Sequence, residues 1–132
     1  MKDTSPSNRL SITKTINGKL PRLPFVDIKE SILGKNYDLS LVFIGDRRAK
    51  TLNQKYRKKD YVPDILSFPY DKNEGEIFIN PYQAKRRAKD FEMDEKKFIV
   101  YLFIHGLLHL KGLRHGSTMD TMELAHLKRF YK

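Results

Sequence analysis

The chain has 132 residues, of which 39% are hydrophobic and 32% are charged, and it contains no cysteine. This length predicts a single domain over residues 1–132 whose core closes without disulfides. The absence of cysteine excludes a thiol nucleophile and a cysteine-ligated metal, so any metal must be held by histidine, carboxylate or backbone oxygen. A formal charge of +10, from 26 Lys and Arg against 16 Asp and Glu, favours a polyanionic partner over a basic surface kept for solubility.

The N-terminal segment 1–8 is polar and lacks the apolar run of a signal peptide, so we expect it to be flexible. The longest apolar stretch, 98–104, is far too short to cross a bilayer. These features predict a cytoplasmic protein that does not engage a membrane.

Hydrophobic spacing along the chain predicts nine elements in the order β-α-β-α-β-β-α-α-α. The predicted strands are 10–16, 37–44, 65–68 and 77–79, and the predicted helices are 21–33, 46–57, 81–92, 94–111 and 117–131. Turn-forming residues 71–75 predict an antiparallel hairpin between the third and fourth strands. One mixed sheet packed by helices accounts for this order most economically.

Two of the predicted helices carry more detailed expectations. Residues 98–110 are apolar all round, which predicts the central buried helix of the domain. In the helix 46–57, Asp46 is expected to be the N-cap, and Leu52 and Tyr56 are expected to face inward.

Three of the four histidines form the pattern H-x-x-x-H-x-x-G-x-x-H at the end of the central helix. His105 and His109 lie one helical turn apart on the same face and can bind one ion together. Gly112 can adopt a positive φ and turn the chain so that His115 supplies a third nitrogen. Three imidazoles leave the fourth tetrahedral position open, as in a catalytic zinc site, and we expect one Zn²⁺ per chain. Nickel or copper would also suit three imidazole ligands. The fourth histidine, His126, is expected on the surface.

The histidine run has the frame of the metzincin signature, in which a glutamate follows the first histidine. Gly106 stands at that position here. A metallopeptidase uses this glutamate as its general base, so peptidase activity is the weaker interpretation.

A second dense segment, 52–69, precedes the hairpin and is rich in basic residues. Arginine presents a planar fork that suits phosphate oxygens, and Arg57 is the strongest single candidate for such a contact. The further candidate substrate-binding residues are Asn53, Lys58, Lys59, Arg86 and Arg87.

Taken together, two patterns make the chain resemble the YbeY family of bacterial endoribonucleases, also called ribosomal RNA maturation factors. One is N-x-x-Y-R-x-x-D-x-x-x-D-I-L-S-F-P over residues 53–69, followed by G-E-I-F-I at 75–79. The other is the histidine run H-G-x-L-H-L-x-G-x-x-H over residues 105–115. The resemblance extends from about residue 37 to the end of the chain.

This resemblance implies an α+β domain, with a mixed four-stranded sheet packed by about five helices. It implies that His105, His109 and His115 bind zinc and that Arg57 is the basic residue of the active groove. The implied activity is metal-dependent cleavage of single-stranded RNA, in 3′-end maturation of 16S rRNA and in ribosome quality control. The implied partners are ribosomal RNA and the small ribosomal subunit, with the protein acting as a monomer.

The chain departs from the family pattern at three positions. Arg114 replaces the usual Asp before the third ligand, Pro63 replaces a Thr and Glu76 replaces an Asp. An aspartate before the third ligand could orient an imidazole, which an arginine cannot do, so Arg114 bears on metal affinity. The three histidines themselves are intact.

From these observations we expect a zinc-dependent phosphodiester hydrolase acting on RNA, with Arg57 and His105 in catalysis. The general base stays open among Asp60, Asp64 and hydroxide on the metal. RNA bases could stack on Tyr61 or Tyr70. The alternatives are a non-catalytic RNA-binding ribosome-assembly factor with structural zinc and, more remotely, a metallopeptidase.

Overall fold

The order of strands and helices is the one that the hydrophobic spacing predicts. A computed structural model describes residues 9–131, so the predicted flexibility of 1–8 and the extent of the domain over 1–132 lie partly outside the described residues. The strands are β1 (Leu10–Lys14), β2 (Asp38–Phe43), β3 (Ile65–Asp71) and β4 (Glu74–Ile79). The helices are α1 (Phe25–Leu33), α2 (Asp46–Arg57), α3 (Pro81–Ala88), α4 (Glu95–Lys111) and α5 (Ser117–Phe130), with a 3₁₀ turn at Lys89–Phe91.

The four strands form one mixed sheet in the order β1-β2-β4-β3. β2 lies parallel to both β1 and β4, and β3 pairs with β4 as the predicted antiparallel hairpin. The predicted α+β class, with one mixed four-stranded sheet and five helices, is therefore confirmed. Because β3 is an edge strand, one of its sides is free to border the functional site described below.

Helix α4 is the central buried helix that the apolar run predicts. Phe103, Ile104 and Leu107 are completely buried, and α4 packs against the sheet, α1, α3 and α5. The side chain of Asp94 caps its N-terminus by accepting a 2.8 Å hydrogen bond from the Lys97 amide. Within residues 9–131, no helix has the combination of length and hydrophobicity that crossing a membrane requires.

Helix α2 covers part of the opposite sheet face, but two details of its prediction are wrong. Gly45 is the N-cap, and the carboxylate of Asp46 instead accepts a 2.8 Å hydrogen bond from the side-chain amide of Asn80. Tyr56 is 59% exposed, and its ring packs against the edge of Phe68 with 5.6 Å between centroids. The i, i+4 spacing identifies a helix face correctly, but α2 lies near the margin of the sheet, where that face is only partly covered.

Several element boundaries also differ from their predictions. Helix α1 begins at Phe25 rather than at 21 because Pro24 disfavours helical backbone in the residue before it. The hairpin strands are longer than predicted, since Pro69 and Gly75 pair across the ladder although neither favours a strand. Strand β1 ends at Lys14, two residues earlier than expected.

A glycine in the middle of α4 allows the helix to approach the sheet closely. A Cβ atom at Gly106 would lie 2.8 Å from Ser67 Oγ, 2.9 Å from Ile65 Cδ1 and 3.0 Å from Ile77 Cδ1. Carbon atoms do not approach other heavy atoms so closely, so a residue with a Cβ fits here only if these three side-chain ends are displaced. Gly106 therefore fixes the distance between the buried helix and the sheet.

We predict that Gly106→Ala lowers the free energy of unfolding by about 1–3 kcal/mol, because overpacking outweighs the gain of up to ~1 kcal/mol in helix propensity. Urea unfolding followed by circular dichroism measures this change. Adding Ile65→Val removes the Cδ1 atom that the new methyl group would meet and should restore part of the lost stability. A Gly106→Ala protein as stable as the original would contradict the close approach.

Candidate metal centre

The end of α4 brings the three predicted histidines together. His105 and His109 lie one turn apart, with 3.1 Å between their Nε2 atoms. Gly112 ends the helix with a φ of 106°, in the left-handed region that glycine adopts readily. The chain then returns, and the His115 ring lies 5.1 Å and 4.9 Å from the rings of His105 and His109. One ligand atom from each histidine lies within 4.8 Å of the other two.

A buried carboxylate on α5 contacts the first of these histidines. Glu123 is 4% exposed, and one of its oxygens accepts a hydrogen bond from Nδ1 of His105. Its other oxygen is 3.5 Å from the hydroxyl of Tyr101. Because a carboxylate accepts a hydrogen bond here, Nδ1 carries the proton, and the lone pair lies on Nε2, which faces the other histidines.

Sequence reasoning missed Glu123, although a signal for it exists. Met119, Glu123 and Leu127 are spaced at i, i+4 and i+8 and form the buried stripe of α5. A carboxylate in such a stripe requires a polar partner, and His105 is that partner. Arg114 is exposed and cannot provide the carboxylate that an aspartate would provide at this position. Glu123 on α5 provides a carboxylate that orients an imidazole instead.

The electrostatics of the cluster favour neutral imidazoles. Burial is the main cause that lowers the pKa of His109, and the neighbouring His105 and His115 lower it further. Glu123 and a backbone hydrogen bond with Leu113 act in the opposite direction. A lowered pKa means that His109 remains uncharged at neutral pH, and uncharged imidazole is the form that binds metal ions.

The cluster also passes a simple geometric test for a metal site. Bonds of about 2.0–2.1 Å in a tetrahedral site place two ligand nitrogens roughly 3.3–3.4 Å apart. The 3.1 Å between Nε2 of His105 and Nε2 of His109 is close to this value. Two nitrogen lone pairs at such a distance repel each other unless a proton or a cation lies between them. The three histidines can therefore bind a metal ion.

The histidine cluster lies in the wall of a cavity of about 660 Å³. The edge strand β3 contributes Ser67, and the loop before it contributes Tyr61 and Asp64. Arg57 from α2 and Arg87 from α3 complete its basic part. The cavity thus combines a metal-binding group with guanidinium groups.

Arg57 lies in this cavity and has neutral partners. Its Nη1 atom donates to Oδ1 of Asn53 at 3.2 Å and lies 3.4 Å from the hydroxyl of Tyr61. Among residues 9–131, no carboxylate lies within ion-pair distance of Arg57. Within this part of the chain, the positive potential of the Arg57 guanidinium is therefore not offset by a carboxylate and is available to an anionic ligand.

The prediction that Asn53 contacts substrate needs revision. Its side chain is completely buried on the inner side of α2 and does not line the cavity. Besides accepting from Arg57, it donates through Nδ2 to the carbonyl oxygen of Tyr61 at 3.1 Å. Asn53 can therefore reach a ligand only through Arg57 and Tyr61.

The predicted basic contacts separate into two groups. Lys58, which ends α2 with a φ of 59°, and Lys59 are exposed, but neither lines the cavity. Arg86 also lies outside the cavity, because its Nη2 atom binds Asp46 at 2.6 Å. The remaining candidate, Arg87, does line it.

Arg87 and the candidate general bases are connected through one ion pair. Arg87 binds the carboxylate of Asp64, which is buried and lines the cavity. Asp60 does not line it and instead accepts a 2.7 Å hydrogen bond from Gln54. Of these two carboxylates, only Asp64 is placed to meet a ligand.

Side chains of α2 and of the start of α3 donate hydrogen bonds to successive carbonyl oxygens in the loop before β3. Asn53 binds the carbonyl oxygen of Tyr61, and Gln83 donates to that of Val62 at 3.0 Å. Asn80 donates to the carbonyl oxygen of Pro63 at 3.3 Å, and the next residue is the ion-paired Asp64. This cavity wall is therefore held in place by hydrogen bonds and an ion pair within the protein.

The position of Gly106 also bears on peptidase activity. The first carbon of a glutamate side chain here would meet the side-chain ends of Ser67 and Ile65 of β3, which would have to shift. The close packing therefore disfavours the general base of a metallopeptidase at this position.

The fold and the site define an α+β domain in which a helix–turn segment carries three histidines beside a cavity with an unpaired arginine. The model of one family, described as endoribonuclease YbeY, matches residues 10–131. The chain therefore belongs to the YbeY family, which confirms the resemblance found from its motifs.

Individual relatives support this assignment. The endoribonuclease YbeY of Mycoplasma mycoides subsp. mycoides is 39% identical over 98 residues, covering 64% of this chain and 60% of the relative. The endoribonuclease YbeY of Sulfurihydrogenibium sp. is 31% identical over 136 residues, covering 94% and 90%. The solution structure of TM1509 from Thermotoga maritima is similar with a TM-score of 0.66 and 24% identity, covering 92% and 89%. The last comparison supports the fold alone.

We predict that Glu123→Gln weakens the binding of a divalent metal ion by about 10- to 100-fold, because the neutral amide no longer holds His105 in the same orientation and tautomer. Competition against a chromophoric chelator measures the affinity. Asp120→Asn is the matched control, since Asp120 lies on the exposed side of the same helix. Equal affinities of the two variants would contradict the orienting role of Glu123.

Proposed function

We propose that this protein is a zinc-dependent endoribonuclease that cleaves single-stranded RNA. The observation that carries this proposal is the shared cavity of the three histidines and Arg57, whose guanidinium has no carboxylate partner among residues 9–131. A net charge of +10 also favours a polyanionic ligand such as RNA. The chain aligns with about 60% of the length of the Mycoplasma relative, whose name supports the same activity.

His105, His109 and His115 are the residues that would hold the zinc ion, one per chain. Three imidazoles suit zinc, and three protein ligands leave a position open for water or substrate. Bound there, zinc would polarise a phosphoryl oxygen and lower the pKa of a water molecule toward about 7. Glu123 supports this arrangement by orienting His105.

Arg57 is the residue that we assign to the phosphate. Its Nη1 atom is directed at Asn53, so the rest of the planar fork is available for phosphate oxygens. Because the guanidinium is held before the ligand arrives, it can stabilise negative charge as this charge develops on the phosphate. Asp64 is our candidate for the proton acceptor, since it lines the same cavity.

We extend the proposal to the cellular role that family membership suggests. The substrate would be ribosomal RNA of the small subunit, cleaved in 3′-end maturation of 16S rRNA and in ribosome quality control. The protein would act in the cytoplasm as a monomer. Binding to the small ribosomal subunit would use the basic surface formed by α2 and α3, which includes Lys58, Lys59 and Arg86.

Elemental analysis tests the metal. We predict one zinc ion per chain in the purified protein and a loss of most of this zinc in His115→Ala, because two imidazoles hold zinc much less tightly than three. His126→Ala is the matched control, since His126 lies on α5 and stacks on Phe130 with 6.4 Å between ring centroids. Zinc that is retained in His115→Ala would place the metal elsewhere.

Cleavage of a short single-stranded RNA tests the activity. We predict that Arg57→Ala lowers the single-turnover rate by about 10²- to 10³-fold, as for the loss of one preorganised donor, and that His105→Ala reduces cleavage to the background. Arg129→Ala is the control for the loss of one positive charge. In the original protein, the guanidinium of Arg129 contacts Ser31, which is distant in the sequence.

The same assay separates the proposal from its alternatives. Cleavage that persists unaltered in both variants would identify a contaminant and favour a non-catalytic assembly factor with structural zinc. Hydrolysis of a peptide library by the zinc-loaded protein would favour the metallopeptidase. The outcome that supports our proposal is RNA cleavage that depends on His105 and Arg57 together with an inert peptide library.

A further inference from the structure

Tyr61 is an aromatic side chain beside the candidate metal centre whose role the proposed reaction leaves open. Its side chain is half exposed and lines the same cavity as Arg57 and the three histidines. It lies in the loop between α2 and β3. An exposed aromatic ring in a charged cavity offers an apolar face that water solvates poorly.

Tyr61 is held at two points without a ligand. Its carbonyl oxygen accepts a 3.1 Å hydrogen bond from the buried amide of Asn53, and its hydroxyl lies 3.4 Å from Nη1 of Arg57. The backbone is therefore fixed, and the ring is kept beside the guanidinium that we assign to the phosphate. A side chain that is ordered in advance loses little conformational entropy when a ligand packs on it.

The other large exposed aromatic side chains in the described part of the chain lie elsewhere. Tyr70 binds the carboxylate of Glu76 and lines a separate cavity on the other side of the hairpin. Tyr56 packs on Phe68, while Phe91 packs on buried rings of α4. The lining of the metal-centre cavity includes neither these three residues nor Tyr82.

We propose that Tyr61 stacks on an unpaired nucleobase adjacent to the phosphate that Arg57 binds. This inference rests on the proposed function and specifies how the substrate is recognised. Val62, Pro63 and Pro69 also line this cavity and add apolar surface that a base could contact. The faces of a base inside a duplex are covered by its neighbours, so a stacking contact selects single strands.

The test uses the zinc-loaded full chain and a set of short fluorescent single-stranded RNAs. Each RNA of the set lacks one base in turn but keeps its sugar and phosphate. In the original protein, we expect one abasic position to weaken binding by roughly 5- to 100-fold, the range found for one stacked base. Tyr61→Ala should weaken binding of the intact RNA by a similar factor and should no longer respond to the missing base.

Two further variants separate the ring from other effects. Tyr61→Phe keeps the aromatic face and should bind RNA nearly as tightly as the original protein. Tyr70→Ala removes an equally exposed ring on the far side of the hairpin and should change nothing. Stacking is overturned if Tyr61→Ala retains the full response to the missing base, or if Tyr61→Phe loses as much affinity as Tyr61→Ala.

The outcome also distinguishes this inference from the proposed function. An original protein that neither binds nor cleaves the intact RNA would overturn both. An original protein that cleaves RNA, combined with unchanged binding by Tyr61→Ala, would overturn the stacking contact alone.

Discussion

The close packing of α4 on β3 and β4 at Gly106 is the constraint on which the rest of the molecule depends. The helix is buried almost all round, and at this point its backbone abuts Ser67 and Ile65 of the edge strand. Both of these residues also line the cavity, so the packing contact is part of the site. With the helix this close, its last turn presents His105 and His109 beside the free side of β3. The same contact disfavours the glutamate that a metallopeptidase would carry after its first histidine.

The site separates two kinds of basic residue. Arg86 and Arg87 are neutralised by Asp46 and Asp64, and these ion pairs order α3 and the loop before β3. In the part of the chain that the structure describes, the side-chain partners of Arg57 are the neutral groups of Asn53 and Tyr61, although it belongs to the same basic region. A carboxylate partner offsets the positive potential of an arginine, whereas an amide partner orients the guanidinium and leaves that potential available to a ligand. Asn53 and Tyr61 therefore orient the guanidinium, and Arg57 itself supplies the positive charge.

The sequence predicts what depends on local spacing and misses what depends on long-range packing. The histidine triad follows from helix periodicity and one glycine, and the sheet follows from alternation, so the predictions of both agree with the structure. The burial of Asn53 and the partner of Glu123 could not be predicted in this way, because both depend on neighbours distant in sequence. Asn53 shares a helix face with Arg57, and only the loop that returns over α2 makes one of them buried and the other accessible. The orienting role of Glu123 depends on its hydrogen bond with His105, which lies on a different helix.

The three histidines lie on one short segment, and this has a consequence for the order of folding. Their grouping requires only the end of α4 and the turn at Gly112, which are contacts between near neighbours in the chain. Arg57, Tyr61 and Glu123 join them only through contacts of much greater sequence separation, which form more slowly. The three residues that would hold a metal ion can therefore come together before the cavity exists. Any binding of the ion to such a partly folded chain would reduce the contribution of the metal to native stability.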